Sequence, residues 1–121
     1  MNNTATVFSK WYDVSLGKIM TTTQTEELLR ESIAFIGRAL AYNGIILGHI
    51  KILARLPEPV IDRYLFLSLT RLEQIDITPS KYWSKVSGIG LTHIELHVNV
   101  LIFGYTFSEV EAVITEALKK K

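Results

Sequence analysis

Cysteine is absent from this 121-residue chain. With it go disulfides, thiolate nucleophiles, iron–sulfur clusters and thiolate zinc sites. Any metal would have to be held by histidine and carboxylate side chains. Net charge of one sign is missing too: 13 Lys+Arg against 12 Asp+Glu give +1, so bulk electrostatics steer the protein toward neither nucleic acid nor an acidic membrane surface. Long apolar runs do not occur. Stretches such as Val100-Leu101-Ile102-Phe103 fall far short of the ~20 residues that span a bilayer, so no membrane association is expected. The first residues show no apolar block behind a basic start, which makes a cytoplasmic address the default expectation. Gly88-Ile89-Gly90 and the pair Gly44 and Gly48 complete neither a phosphate-binding loop nor a dinucleotide fingerprint. A serine elbow of the hydrolase type and a solenoid repeat are also lacking.

What is present is periodicity. Residues 1–23 mix Val7, Phe8, Trp11, Tyr12, Val14 and Leu16 with polar residues and read as an N-terminal arm or short strand. Its large aromatics would be costly to leave in water, so the arm is expected to dock on something. Thr23-Gln24-Thr25-Glu26 fits a capping box, and Leu29, Ile33, Ile36 and Leu40 follow at helical spacing up to Asn43-Gly44. This predicts a helix over about 25–42. Gly37 inside it costs ~1 kcal/mol relative to alanine, which implies close packing against a neighbour.

From Ile46 the period becomes two, with Ile50, Ile52, Ala54 and Leu56 on one parity, the signature of a half-buried strand that Pro57 and Pro59 end. A second strand begins at Tyr64, with Leu65, Leu67 and Leu69 inward. At Arg71-Leu72-Glu73-Gln74 the alternation breaks before Ile75 and Ile77 restore it, which predicts a bulge or tight turn. Residues 79–90 read as a connecting loop. Leu91 to Phe103 is the clearest strand, with Ile94, Leu96, Val98, Val100 and Ile102 on one face. Thr106-Phe107-Ser108-Glu109 repeats the capping signature ahead of a second helix, whose basic end Lys119-Lys120-Lys121 suits a C-terminal dipole.

Every strand has one apolar parity and each helix one apolar stripe. The economical arrangement is therefore an α+β two-layer sandwich: an antiparallel sheet of three to five strands with both helices on one face, in the order (β)-α-β-β-β-α. Residues 24–121 form a single domain behind the 1–23 arm or strand. The opposite sheet face stays open. By parity it carries His49, Lys51 and Arg55 from the first of these strands, Tyr64, Phe66, Ser68 and Thr70 from the second, and His93, Glu95, His97 and Asn99 from the last. All three histidines are among them, and so mixed a face is expected to be covered by a second copy, the arm, a partner or a ligand.

The leading functional expectation is a small, soluble homo-oligomer, a dimer in the simplest case, acting as a binding or accessory module through this face, with Trp11, Tyr64 and Phe66 as anchors. No cofactor is required. The alternative is a metal-binding protein or small-molecule enzyme built on His93, Glu95 and His97, with His49 completing the set. Adjacent members of that series lie ~6.6–6.8 Å apart along a strand and the outer pair ~13 Å, so at most two would bind one divalent ion. Without metal, His93 or His97 would serve as general base beside Glu95 and Ser68 or Thr70, but alternate residues on a strand flank rather than orient each other. Glu26, Glu27, Glu109 and Glu111 occupy helix starts, where the dipole accounts for them. Lys81-Tyr82-Trp83-Ser84-Lys85 and Lys10-Trp11-Tyr12 alternate base and aromatic as single-strand nucleic-acid surfaces do. The neutral overall charge argues against that use and makes Trp83 a hydrophobic anchor instead.

Overall fold

The computed structural model describes residues 4–56, 64–72, 74–80, 83 and 90–119. The elements run β1 (Thr6–Met20), α1 (Thr22–Leu40), β2 (Gly48–Arg55), β3 (Tyr64–Arg71), β4 (Gln74–Pro79), β5 (Leu91–Ile102) and α2 (Phe107–Lys119). The five strands form one sheet in the order β1-β5-β2-β3-β4, and every neighbouring pair is antiparallel. The α+β two-layer arrangement expected from the patterning is the one observed. Four strands lie between the helices. The break at Arg71–Gln74 is a hairpin reversal with a register shift after Leu69, so the run from Tyr64 to Ile77 is two strands.

The N-terminal arm is a long strand. β1 pairs with β5 from Thr6 opposite Ile102 to Met20 opposite Leu91, with an irregularity between Ser15 and Met20. Gly17 lies in that stretch with φ 73°, a conformation glycine adopts without penalty. The arm therefore widens the sheet rather than crossing its open face. It buries Phe8, Val14, Leu16 and Met20 in the common core.

Helix α1 begins earlier than the spacing predicts, with its first helical residue at Thr22. Thr21 is the N-cap: its hydroxyl accepts from the Gln24 N–H at 3.1 Å, and the Gln24 side-chain oxygen accepts from the Thr21 N–H at 3.0 Å. The polar run 21–26 contains two overlapping capping frames. The frame starting at Thr21 prevails because Met20 is still anchored in the core and because it turns Thr22 and Thr25 inward, 3% and 0% exposed. The buried Thr25 hydroxyl is satisfied by donating to the Thr21 carbonyl at 2.8 Å. Helix α1 stops at Leu40, and Asn43 and Gly44, with φ 51° and 78°, form a two-residue reversal in which Tyr42 and Ile45 exchange both backbone bonds at 2.8 and 3.0 Å. Positive φ at both central residues is what Asn-Gly supports best. At the other helix the predicted frame holds: Thr106 N donates to Glu109 Oε1 at 2.8 Å, and Glu109 N to Thr106 Oγ1 at 3.1 Å.

Both helices pack on the same sheet face. Leu29, Ile33, Ile36 and Leu40 of α1 and Val110, Ile114, Ala117 and Leu118 of α2 join the inward parities of β1, β2, β3 and β5 in one cluster. Gly37 faces β3 so closely that an added Cβ would stand 2.3 Å from Leu69 Cδ2, the close packing its place in the helix implied. Trp83 is 1% exposed and its indole N–H donates to Glu26 Oε1 at 3.1 Å. Glu26 is thus committed to the α1 side of the core edge. The other residues of 81–89 lie outside the described ones. No described helix is long and apolar enough to cross a membrane.

Candidate functional site

The side of the sheet turned away from the helices is ordered in ranks by the strand register. Across β1, β5, β2, β3 and β4, one rank reads Ser9, Asn99, Lys51, Ser68, Asp76. The next reads Trp11, His97, Leu53, Phe66, Thr78, and the third Asp13, Glu95, Arg55, Tyr64. Ser15 stands opposite His93 beyond the third rank, and His49 opposite Leu101 before the first. Every residue assigned to the open face by parity lies on it, Thr70 at its exposed end of β3 included. Alternation decides this: the inward neighbours Ile50, Ile52, Leu65, Leu67, Ile94, Leu96 and Val98 are buried under the helices, and each flanking residue must point the other way.

The middle rank is largely apolar. The Trp11 ring stacks on the His97 imidazole with centroids 4.5 Å apart and planes 6° from parallel. The Arg55 guanidinium sits 4.7 Å from the Trp11 ring centre and also bonds Glu95 Oε1 at 3.1 Å. Trp11 therefore leans inward from the edge strand across β5 toward β2. Even so it stays 47% exposed, and Tyr64 40%. A shallow depression lies among Trp11, Asp13, Arg55 and Glu95.

The polar groups are arranged around this rank. His97 has both ring nitrogens engaged: Ser9 Oγ lies 2.9 Å from Nε2 and Asn99 Nδ2 3.4 Å from Nδ1. With Asn99 donating to Nδ1, a neutral ring donates from Nε2 to Ser9. In the third rank Asp13 stands directly across from Glu95. Like charges so paired destabilise a sheet. Of the two, Glu95 has a cation beside it in Arg55, whereas Asp13 forms no ion pair among the described residues.

Chemistry based on histidine is poorly served by this layout. His93 and His97 are four residues apart on β5, and His49 is opposite Leu101, four residues beyond His97. Each interval is ~13 Å of strand, so the three share a face without meeting. Among the described residues no group of three or more His, Asp and Glu side chains stands ready to hold a metal ion. His97 and Glu95 are occupied with Ser9, Asn99 and Arg55 rather than with each other. Ser68 lies opposite Lys51, two strands from His97's own, not beside an imidazole.

The two stretches of base and aromatic residues are likewise separated. Along β1, Trp11 faces the open side. Lys10 and Tyr12 turn to the helix side, where Lys10 Nζ reaches Glu111 at 3.5 Å and the Tyr12 hydroxyl is buried without a hydrogen-bond partner among the described residues. Burial pushes the Tyr12 phenol above its ordinary pKa, and the Glu111 carboxylate adds to the shift. Trp83 is a core residue. Lys81, Tyr82 and Lys85 lie outside the described residues.

Reading by parity missed the contribution of β1. Ser9 and Asp13 join the face because β1 lies beside β5, and alternation within residues 7–15 could have placed them on one side without saying whose side it was. No protein-family model, curated protein sequence or solved structure matches this chain at a significant level.

Proposed function

We propose that the chain is a non-catalytic binding or accessory module that works as a homodimer, with the open sheet face as the subunit contact. The observation that carries this reading is the middle rank. Trp11, Leu53 and Phe66, with the His97 ring between the first two, form a largely apolar band across four strands on a face that no described element covers, flanked on both sides by hydrogen-bonding and charged groups. An apolar centre with a polar rim, anchored by aromatic residues and arginine, is the composition of a protein contact.

Size and charge support the same reading. Five strands at ~4.8 Å and eight residues at ~3.3 Å give a flat footprint of roughly 600 Å² per partner, so two copies would bury on the order of 1,200 Å², within the range of specific interfaces. The face carries Lys51 and Arg55 against Asp13, Glu95 and Asp76, a near balance that suits another protein surface better than a polyanion.

Sedimentation equilibrium at micromolar concentration tests the proposal. It should return twice the 13.7 kDa chain mass, and Phe66→Asp, which puts a charge in the apolar band, should return the chain mass with its far-ultraviolet circular dichroism unchanged. A wild-type protein that stays at the chain mass up to about 100 μM, where interfaces of this size associate, would remove this function.

A further inference from the structure

The ranks also define how two copies would meet, and we infer that they dock face to face about a twofold axis running parallel to the strands, between β5 and β2. This rests on the dimer reading above and adds its orientation. Rotation about such an axis exchanges β5 with β2 and β1 with β3 while keeping each rank on itself. In the third rank, Arg55 then meets Glu95 of the partner subunit and Asp13 meets Tyr64 of the partner subunit, each contact occurring twice. In the middle rank, Trp11 meets Phe66 of the partner subunit.

Neighbouring axes do worse. An axis along β2 sets Lys51 on Lys51 of the partner subunit and Arg55 on Arg55 of the partner subunit. One along β5 opposes two Glu95 carboxylates. An axis across the strands through the middle rank brings Lys51 onto Arg55 of the partner subunit. An axis between β2 and β3 opposes no like charges and creates no ion pair. Only the axis between β5 and β2 matches every charge of the third rank with an opposite charge or a donor.

This arrangement also explains Asp13. Its carboxylate stands across from Glu95 with no cation paired to it among the described residues, a costly placement in a lone sheet. In the dimer the partner subunit's Tyr64 donates its hydroxyl to that carboxylate, and Glu95 lies between two guanidinium groups, one from each subunit. Four of the five strands are covered and β4 stays outside, so the two copies bury roughly 1,000 Å², the lower end of what a specific interface needs. Aligned packing of two sheets, with strand directions about 30° apart, is compatible with such an axis.

The test is a trans charge swap. Arg55→Glu and Glu95→Arg are made separately, so that each chain carries a like-charged pair in its own sheet and meets a like-charged pair in its own homodimer. Each alone should self-associate about tenfold or more weakly than wild type. An equimolar mixture should form the heterodimer, seen by native mass spectrometry. Across that interface the introduced glutamate of one chain faces the introduced arginine of the other, and the first chain's unchanged Glu95 faces the second chain's unchanged Arg55. Intrachain pairing cannot produce this rescue, since neither chain's own pair is repaired by mixing. Circular dichroism checks that each variant is folded. Tyr64→Phe, which deletes one exposed hydroxyl, gives a second readout: several-fold weaker association, with no further loss on adding Asp13→Asn. If wild type is a dimer and the mixture associates no better than its components, or Tyr64→Phe associates as wild type does, this orientation is wrong while the dimer stands. If wild type is monomeric, the dimer reading itself fails and the orientation with it.

Discussion

Replacing Gly37 with alanine sets two effects of similar size against each other, and the structure says which wins. In an exposed helix interior the change should stabilise by ~1 kcal/mol through helix propensity. Here the new methyl carbon would lie 2.3 Å from Leu69 Cδ2, where carbon atoms in contact need ~3.5–4.0 Å. Leu69 is 1% exposed, so it yields only by leaving its rotamer or pushing the helix off the sheet. Overpacking of that kind costs ~1–3 kcal/mol. The net expectation is a loss of ~1 kcal/mol. Leu69→Val ends the side chain at the γ position, which in Leu69 lies 3.6 Å from the same point, an ordinary contact. Alone it should cost ~1 kcal/mol for the lost methylene, but in its background Gly37→Ala should gain ~1 kcal/mol. The double-mutant cycle then gives a coupling of ~2 kcal/mol. Urea unfolding followed by circular dichroism, at one fixed protein concentration so that self-association cancels, measures all four proteins. Stabilisation of the wild-type chain by Gly37→Ala, or a coupling near zero, would refute the claim that the Gly37–Leu69 approach limits the α1–β3 distance.

Further outcomes follow from single contacts. Thr21→Ala should lose ~1 kcal/mol by removing the capping box of α1 while Thr23→Ala stays within ~0.5 kcal/mol, and thermal melts of the two variants distinguish the capping frames. Trp83→Phe should cost ~1–2 kcal/mol or more, through the lost indole bond to Glu26 and the space left in the core; Glu26→Gln, which keeps an acceptor, should cost less in the same urea titration. Tyr12→Phe should be neutral or stabilising, because it deletes a buried hydroxyl that has no partner among the described residues. Since the folded phenol titrates above its unfolded value of about 10, its contribution is whole below about pH 10 and falls as the pH rises from there toward the folded pKa. Melting temperatures from about pH 9 to 11 should therefore drop more for wild type than for Tyr12→Phe.

Much of this architecture is legible in the chain because it depends on local alternation. In β5, Ile94, Leu96, Val98 and Val100 against His93, Glu95, His97 and Asn99 admit one inward face, since a shift of one residue would bury four polar side chains. The same reasoning put Tyr64, Phe66 and Ser68 on the open side and marked Arg71–Gln74 as a bulge or tight turn, which the strand pairing resolves as a hairpin reversal. It took the Thr23 capping frame where the structure uses the overlapping one at Thr21, because that choice depends on where β1 lets go of the core at Met20.

Alternation alone thus determined which side chains of one strand share a side, since a pleated backbone sends neighbours to opposite sides whatever the rest of the chain does. The tertiary structure alone decided which residues stand next to one another on it. Strand order and register are settled by non-local pairing: β5 inserts between β1 and β2, which brings Trp11 onto His97, Asp13 opposite Glu95 and Arg55 beside both Trp11 and Glu95, residues up to 86 positions apart in the chain. The same register holds the three histidines of that face a full four residues of strand apart. The His93–His97 interval follows from the spacing along β5 alone, whereas the place of His49 opposite Leu101 is set by hydrogen bonds between distant segments, which a local pattern does not encode.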